Sequence, residues 1–109
     1  YNTSIHVGGT PLLIDGAVYN ASILIFPGMA AQVVYKKIHL FDVNVEGRRV
    51  CESDSFRPGE ELAIIDINGW KLGLTICYDL RFAELFIGYH RQQVDGILVP
   101  SSFLVPTGR

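Results

Sequence analysis

Along this chain of 109 residues, apolar positions first alternate with polar ones and later recur at helical spacing. The pattern predicts strands, then a strand–helix–strand segment. Leu12 to Ile14 is a short apolar run; Val18 to Phe26 is a longer one, closed by the turn signal Pro27-Gly28. Gln32 to His39 reads as its partner strand. Strand alternation places Val33, Tyr35, Lys37 and His39 on one side and Val34, Lys36 and Ile38 on the other, so the two lysines point in opposite directions. Asp42 to Gly59 is polar and interrupted by Gly47, Pro58 and Gly59. It is expected to be a long irregular connection, of the kind that often carries function.

Glu61 to Asp66 and Trp70 to Cys77 predict a hairpin around Asn68-Gly69, a strong two-residue turn signal. In its second strand Trp70, Leu72, Leu74 and Ile76 share one face, and Lys71, Gly73, Thr75 and Cys77 the other; Trp70 is expected to pack. Both faces carry little charge, which suits a central strand. From Leu80 to about Gln93 the period becomes helical, with Phe82, Leu85, Phe86 and Tyr89 on one side. Asp79 stands where an N-cap belongs, and Gly88 is a weak point worth about 1 kcal/mol against alanine. Gly96 to Pro100 reads as a short apolar strand. The fold class is therefore α/β. Cys77 lies at the carboxyl end of a strand just before a helix, where open sheets place their ligand sites.

Composition narrows the function classes. Hydrophobic residues make up 49% and charged ones 18%, so a packed core is expected, in a single domain. The formal charge is −2. Lys36-Lys37 and Arg48-Arg49 are isolated pairs, so no nucleic-acid partner is expected. The apolar runs, such as Ile23 to Phe26, are far too short to span a bilayer. The two cysteines, Cys51 and Cys77, form no C-x-x-C and stand in no Cys/His cluster at metal spacing. No metal and no cofactor is expected, and a reducing, cytoplasmic setting is the default. Tyr1-Asn2-Thr3-Ser4 and Thr107-Gly108-Arg109 both read as interior sequence, so residues 1–109 are expected to be the central portion of one domain, truncated at both ends.

Two readings of Cys77 follow from its position. A thiol at a strand-to-helix turn meets the amide donors and positive end of the helix, which favour an anion there, and the next amide can face an oxyanion forming on a substrate carbonyl. The same logic underlies the nucleophile elbow of serine hydrolases. The other reading is a buried structural cysteine.

The motifs around it decide between them. Gly73-Leu74-Thr75-Ile76-Cys77-Tyr78-Asp79-Leu80-Arg81-Phe82-Ala83-Glu84-Leu85 resembles the G-x-x-I-C-Y-D-x-R-F-x-E-L signature of the nitrilase superfamily of carbon–nitrogen hydrolases. Tyr35-Lys36-Lys37-Ile38-His39-Leu40-Phe41-Asp42 resembles its Y-x-K-x-H-L-F-D motif. Glu52-Ser53 with Pro58-Gly59, Tyr19-Asn20-Ala21-Ser22, and Pro100-Ser101-Ser102-Phe103 with Thr107-Gly108 resemble further stretches, in the family's order.

The resemblance implies a four-layer α-β-β-α sandwich, of which this chain supplies the middle, and a homodimer or larger assembly formed through the outer helical layer. It implies hydrolysis of a non-peptide C–N bond in a small linear amide, because the sequence around Cys77 is closer to the ω-amidase and deaminated-glutathione amidase branch than to the C-W-E form of nitrilases. Cys77 would form a thioester. Lys37 and the amide of Tyr78 would stabilise the oxyanion, and Glu52 would orient the lysine or the substrate. The family's general base is a glutamate well before the lysine motif, yet the first glutamate here is Glu46. The base is expected upstream of Tyr1, and the chain alone is expected to be inactive. The alternative is a catalytically inactive nitrilase-like binding or scaffold module. Arg81 is expected to pair with Glu84 or to meet a substrate carboxylate; His39 is expected to pack or hydrogen-bond, and Cys51, His6 and His90 to be bystanders.

Overall fold

Among the described residues, three two-residue turns shape the fold: Asp15-Gly16, Glu46-Gly47 and Asn68-Gly69. In each, both residues have positive φ, between 49° and 83°. This is the backbone of the tight hairpin turn whose twist matches that of paired strands. The structure, a computed structural model, describes residues 3–101. The Tyr1-Asn2 pair and the Ser102-Phe103 and Thr107-Gly108 matches lie outside the described residues.

The first turn joins β1 (Ile5–Ile14) to β2 (Ala17–Ile25), and β2 pairs in turn with β3 (Gln32–Lys36), giving an antiparallel sheet of order β1-β2-β3. The expected strand at Leu12 to Ile14 is therefore the end of a much longer one. Its first half is less apolar and carries Gly8-Gly9, where the register shifts between Val7 and Thr10. The second turn joins β4 (Asp42–Val45) to β5 (Arg48–Cys51). This corrects the expectation of an irregular connection there: residues 42–51 form a hairpin, followed by one 3-10 turn, Glu52–Asp54. Glu46 is an uncommon residue at positive φ, so the turn carries a weaker signal than Asn68-Gly69.

The third turn joins β6 (Ile64–Ile67) to β7 (Trp70–Leu74). A helix, α1 (Ala83–Arg91), then leads to β8 (Gly96–Leu98), which pairs parallel to β7, so β7 is the central strand of its sheet. Glu84 in the first turn of α1 and His90 and Arg91 in the last suit the helix dipole.

The two three-stranded sheets face each other. Leu24 and Tyr35 from the first meet Ile65 and Leu74 from the second, with Ile76, in one buried cluster. Full burial of a side chain such as Leu24 or Leu74 contributes about 1.5–3 kcal/mol. On its other side the second sheet is covered by α1. A side chain at Gly73 would come within 2.7 Å of the Tyr89 ring, so only glycine lets the helix lie this close. Tyr89 is fully buried, and its hydroxyl bonds the carbonyl of Leu74 and accepts the amide of Ala63. The two three-stranded sheets and α1 thus stack as sheet, sheet and helix, with the β4–β5 hairpin a separate two-stranded sheet. Trp70, expected to pack, is 63% exposed at the hairpin end; strand periodicity assigns its face, but the facing sheet does not extend cover to the turn. Among the described residues no helix is long and apolar enough to cross a membrane.

Candidate active site

Cys77 does not begin the α-helix. It opens a separate 3-10 segment, Cys77–Arg81, and the α-helix starts only at Ala83 with Phe82 as its N-cap. Asp79 is therefore not the α-helix cap that the sequence suggests. It caps the 3-10 turn instead, its Oδ2 accepting the amide of Ile76 at 2.9 Å. Cys77 has φ +46, a left-handed conformation that costs a non-glycine residue about 1–2 kcal/mol. Such strain persists only where surrounding contacts enforce it. One such contact is the Cys77 amide, which donates to the carbonyl of Pro100 at 2.8 Å and extends the parallel β7–β8 ladder past both strand ends. The amide of Tyr78 lies in the first turn of the 3-10 segment, where donors lack a partner within the helix.

Lys37 follows directly after β3. Its backbone is fixed from both sides, the amide donating to Asn20 O at 2.7 Å and the carbonyl accepting from Gly59 N at 2.8 Å. Its side chain is buried and ends 2.6 Å from Oε1 of Glu52. Glu52 opens the 3-10 turn after β5 and collects three donors: Lys37 Nζ and the Phe41 amide (2.8 Å) on Oε1, and Asn20 Nδ2 (2.9 Å) on Oε2. Burial alone would raise its pKa, but these hydrogen bonds outweigh burial and hold the carboxyl below its ordinary range. Lys36, by contrast, lies 4.6 Å from the centre of the Tyr19 ring, a cation–π contact on the opposite side of the strand, as alternation requires.

Cys77, Tyr78, Lys37 and Glu52 all line one cleft of about 890 Å³. The four sequence candidates are thus brought together, from the end of β7, the end of β3 and the end of β5. The cleft lies beyond the carboxyl ends of β7 and β8. Phe41, Val43 and Val50 make one wall apolar, and Arg81 stands exposed at its edge. Cys51, expected as a bystander, also lines it, with its Sγ 3.3 Å from Ser53 Oγ.

Sequence reasoning missed Asn20. It sits within the Tyr19-Asn20-Ala21-Ser22 match, but only the fold shows that its side chain holds Glu52 while its carbonyl holds Lys37. Among the described residues no three His, Cys, Asp or Glu side chains come together in a way that could hold a metal ion.

The family described as carbon-nitrogen hydrolase matches residues 1–107. The chain is 40% identical over 93 residues to a deaminated glutathione amidase of Dictyostelium discoideum, covering 84% of this chain and 32% of that protein. It is 38% identical over 104 residues to the omega-amidase NIT2 of Danio rerio, covering 94% of this chain and 38% of that one. The chain thus spans about a third of the length of these relatives. Among solved structures, the C. elegans NitFhit protein superposes with a TM-score of 0.82 at 31% identity, covering 98% of this chain and 27% of that one.

Proposed function

The chain belongs to the carbon-nitrogen hydrolase family, and from that premise we propose that it carries the nucleophile and oxyanion site of an enzyme that hydrolyses a small linear amide. The observation that carries this reading is the meeting of Cys77, in a left-handed turn at a strand end, with the buried Lys37–Glu52 pair in one cleft. In the proposed reaction Cys77 Sγ attacks the amide carbon. The resulting oxyanion is met by Lys37 Nζ and the Tyr78 amide, the C–N bond breaks as the nitrogen gains a proton, and water then cleaves the thioester. Glu52 aims Lys37 through the contact between its Oε1 and Lys37 Nζ. Relatives named as amidases support the substrate class.

Proton transfer requires a base. We assign it to a glutamate outside these 109 residues, which are read as the central portion of a longer domain. In that domain the sheet–sheet–helix stack would be three layers of a four-layer sandwich. The test is ammonia release by the full-length protein from small linear amides, with mass spectrometry of the enzyme during turnover. The expected result is an acyl adduct on Cys77, loss of turnover in Cys77→Ala, and no turnover by the isolated 109-residue chain. Full activity in Cys77→Ala would overturn the reading.

A further inference from the structure

The two candidate motifs are joined by a residue that touches neither reacting atom. Asp79 is fully buried, and its carboxyl group meets four donor groups. Oδ2 accepts the Tyr35 hydroxyl at 2.6 Å and the Ile76 amide at 2.9 Å. Oδ1 accepts the His39 amide at 2.9 Å and lies 2.8 Å from His39 Nδ1, which donates in the tautomer protonated there. Tyr35 and His39 stand two residues to either side of Lys37; Ile76 directly precedes Cys77. A single carboxyl group therefore grips the lysine segment on both flanks and the peptide leading into the strained cysteine.

The grip is stiffened from each direction. The Tyr35 hydroxyl also accepts the Ile38 amide at 3.2 Å, so it is used both as donor and as acceptor. The His39 ring stacks on Phe82 with centroids 3.8 Å apart and planes 8° from parallel. Phe82 is the N-cap of α1, so the same contact ties the lysine segment to the helix that follows Cys77. Burial first, and then the hydrogen bond to Asp79, push the Tyr35 hydroxyl far above the ordinary phenol range, so it remains a donor at physiological pH.

We propose that Asp79, Tyr35 and His39 form a positioning assembly that sets the separation of Lys37 from Cys77 and holds the turn that presents the thiol. These are positioning residues: they act through the backbone of the two groups that would touch substrate. The proposal rests on the amidase reading above for its kinetic part. The presentation of Cys77 can be read without it.

The test uses the full-length protein. Tyr35→Phe keeps the buried ring and removes only the hydroxyl, so it serves if Asp79→Asn fails to fold. His39→Asn keeps a side-chain donor near the place of Nδ1, and His39→Leu does not. In Tyr35→Phe and His39→Leu, kcat should fall about 10- to 100-fold, the scale of a displacement of about 1 Å or less between reacting groups, while KM stays within about twofold. His39→Asn should recover most of that loss. Iodoacetamide labelling, scored by mass spectrometry as the ratio of Cys77 to Cys51 in the same molecule, should shift several-fold in both damaged variants. A role confined to stability would lower Tm and leave kcat and the labelling ratio of the folded protein unchanged, and that result overturns the proposal. If Cys77→Ala keeps full activity the amidase reading fails, and an unchanged labelling ratio would then overturn this inference separately.

Discussion

The Nζ of Lys37 and Oε1 of Glu52 lie 2.6 Å apart, with the two side chains 3% and 13% exposed. The pair is held in register by Asn20, which donates to Glu52 from its side chain and accepts the Lys37 amide on its carbonyl. A buried ion pair of this kind adds little stability over an apolar equivalent, but it is costly to break by halves.

Glu52→Gln should therefore destabilise the protein by about 3 kcal/mol, because the ammonium of Lys37 is left buried without its counter-charge. Lys37→Met in the same background should recover part of the loss, since the orphaned charge is then gone. Urea unfolding of the two single variants and the double variant measures this. Additive losses would show that the pair is not coupled.

The same pair predicts a pH dependence. The folded-state pKa of Glu52 lies below its ordinary value of 4.5, burial opposing the shift and the hydrogen bonds from Lys37, Asn20 and Phe41 outweighing it. A lowered pKa contributes stability that is present above 4.5 and is lost as pH falls through the folded value. The stability gap between the parent and Glu52→Gln should thus be constant near neutrality and narrow below 4.5. Denaturant titrations across that range check it; a gap that widened on acidification would contradict the assignment.

Cys77 offers a test of strain. At φ +46 a β-carbon is disfavoured and glycine is not. Cys77→Gly should be more stable than Cys77→Ala by about 0.5–1 kcal/mol, the relief of strain being partly offset by the greater freedom of unfolded glycine. In an ordinary strand the order would be reversed. Thermal unfolding of the two variants decides, independently of any activity.

Gly73→Ala tests the packing of the helix on the second sheet. The added methyl would lie 2.7 to 3.0 Å from three carbons of the Tyr89 ring, a rigid group anchored through its hydroxyl to Leu74 and Ala63. A destabilisation of about 1–3 kcal/mol is expected, as for other overpacked cores. An unchanged Tm would mean that the helix can move away without cost.

Much of the second half of the fold was legible because its signals are local. Asn68-Gly69 dictates a hairpin, and the period of Phe82, Leu85 and Tyr89 dictates a helix, although the structure trims that helix to Ala83–Arg91. The hairpin of residues 42–51 was not legible, because its strands are only four residues each and Glu46 does not advertise a left-handed turn. Trp70 was misplaced for a related reason: alternation assigns a side chain to a face, and cover comes from elsewhere in the fold.

For the site, the sequence by itself determined the family motifs, the identity of the candidates Cys77, Lys37, Glu52 and Tyr78, and the opposed directions of Lys36 and Lys37. These follow from residue type, order and strand period. Only the tertiary structure decided that Glu52 pairs with Lys37, that Asn20 supports both, and that Asp79 turns inward to Tyr35 and His39 instead of capping the α-helix. Those partners lie 15 to 44 positions apart along the chain. Burial makes each polar group find whichever partner the packed sheets bring near, and sequence spacing carries no record of that choice.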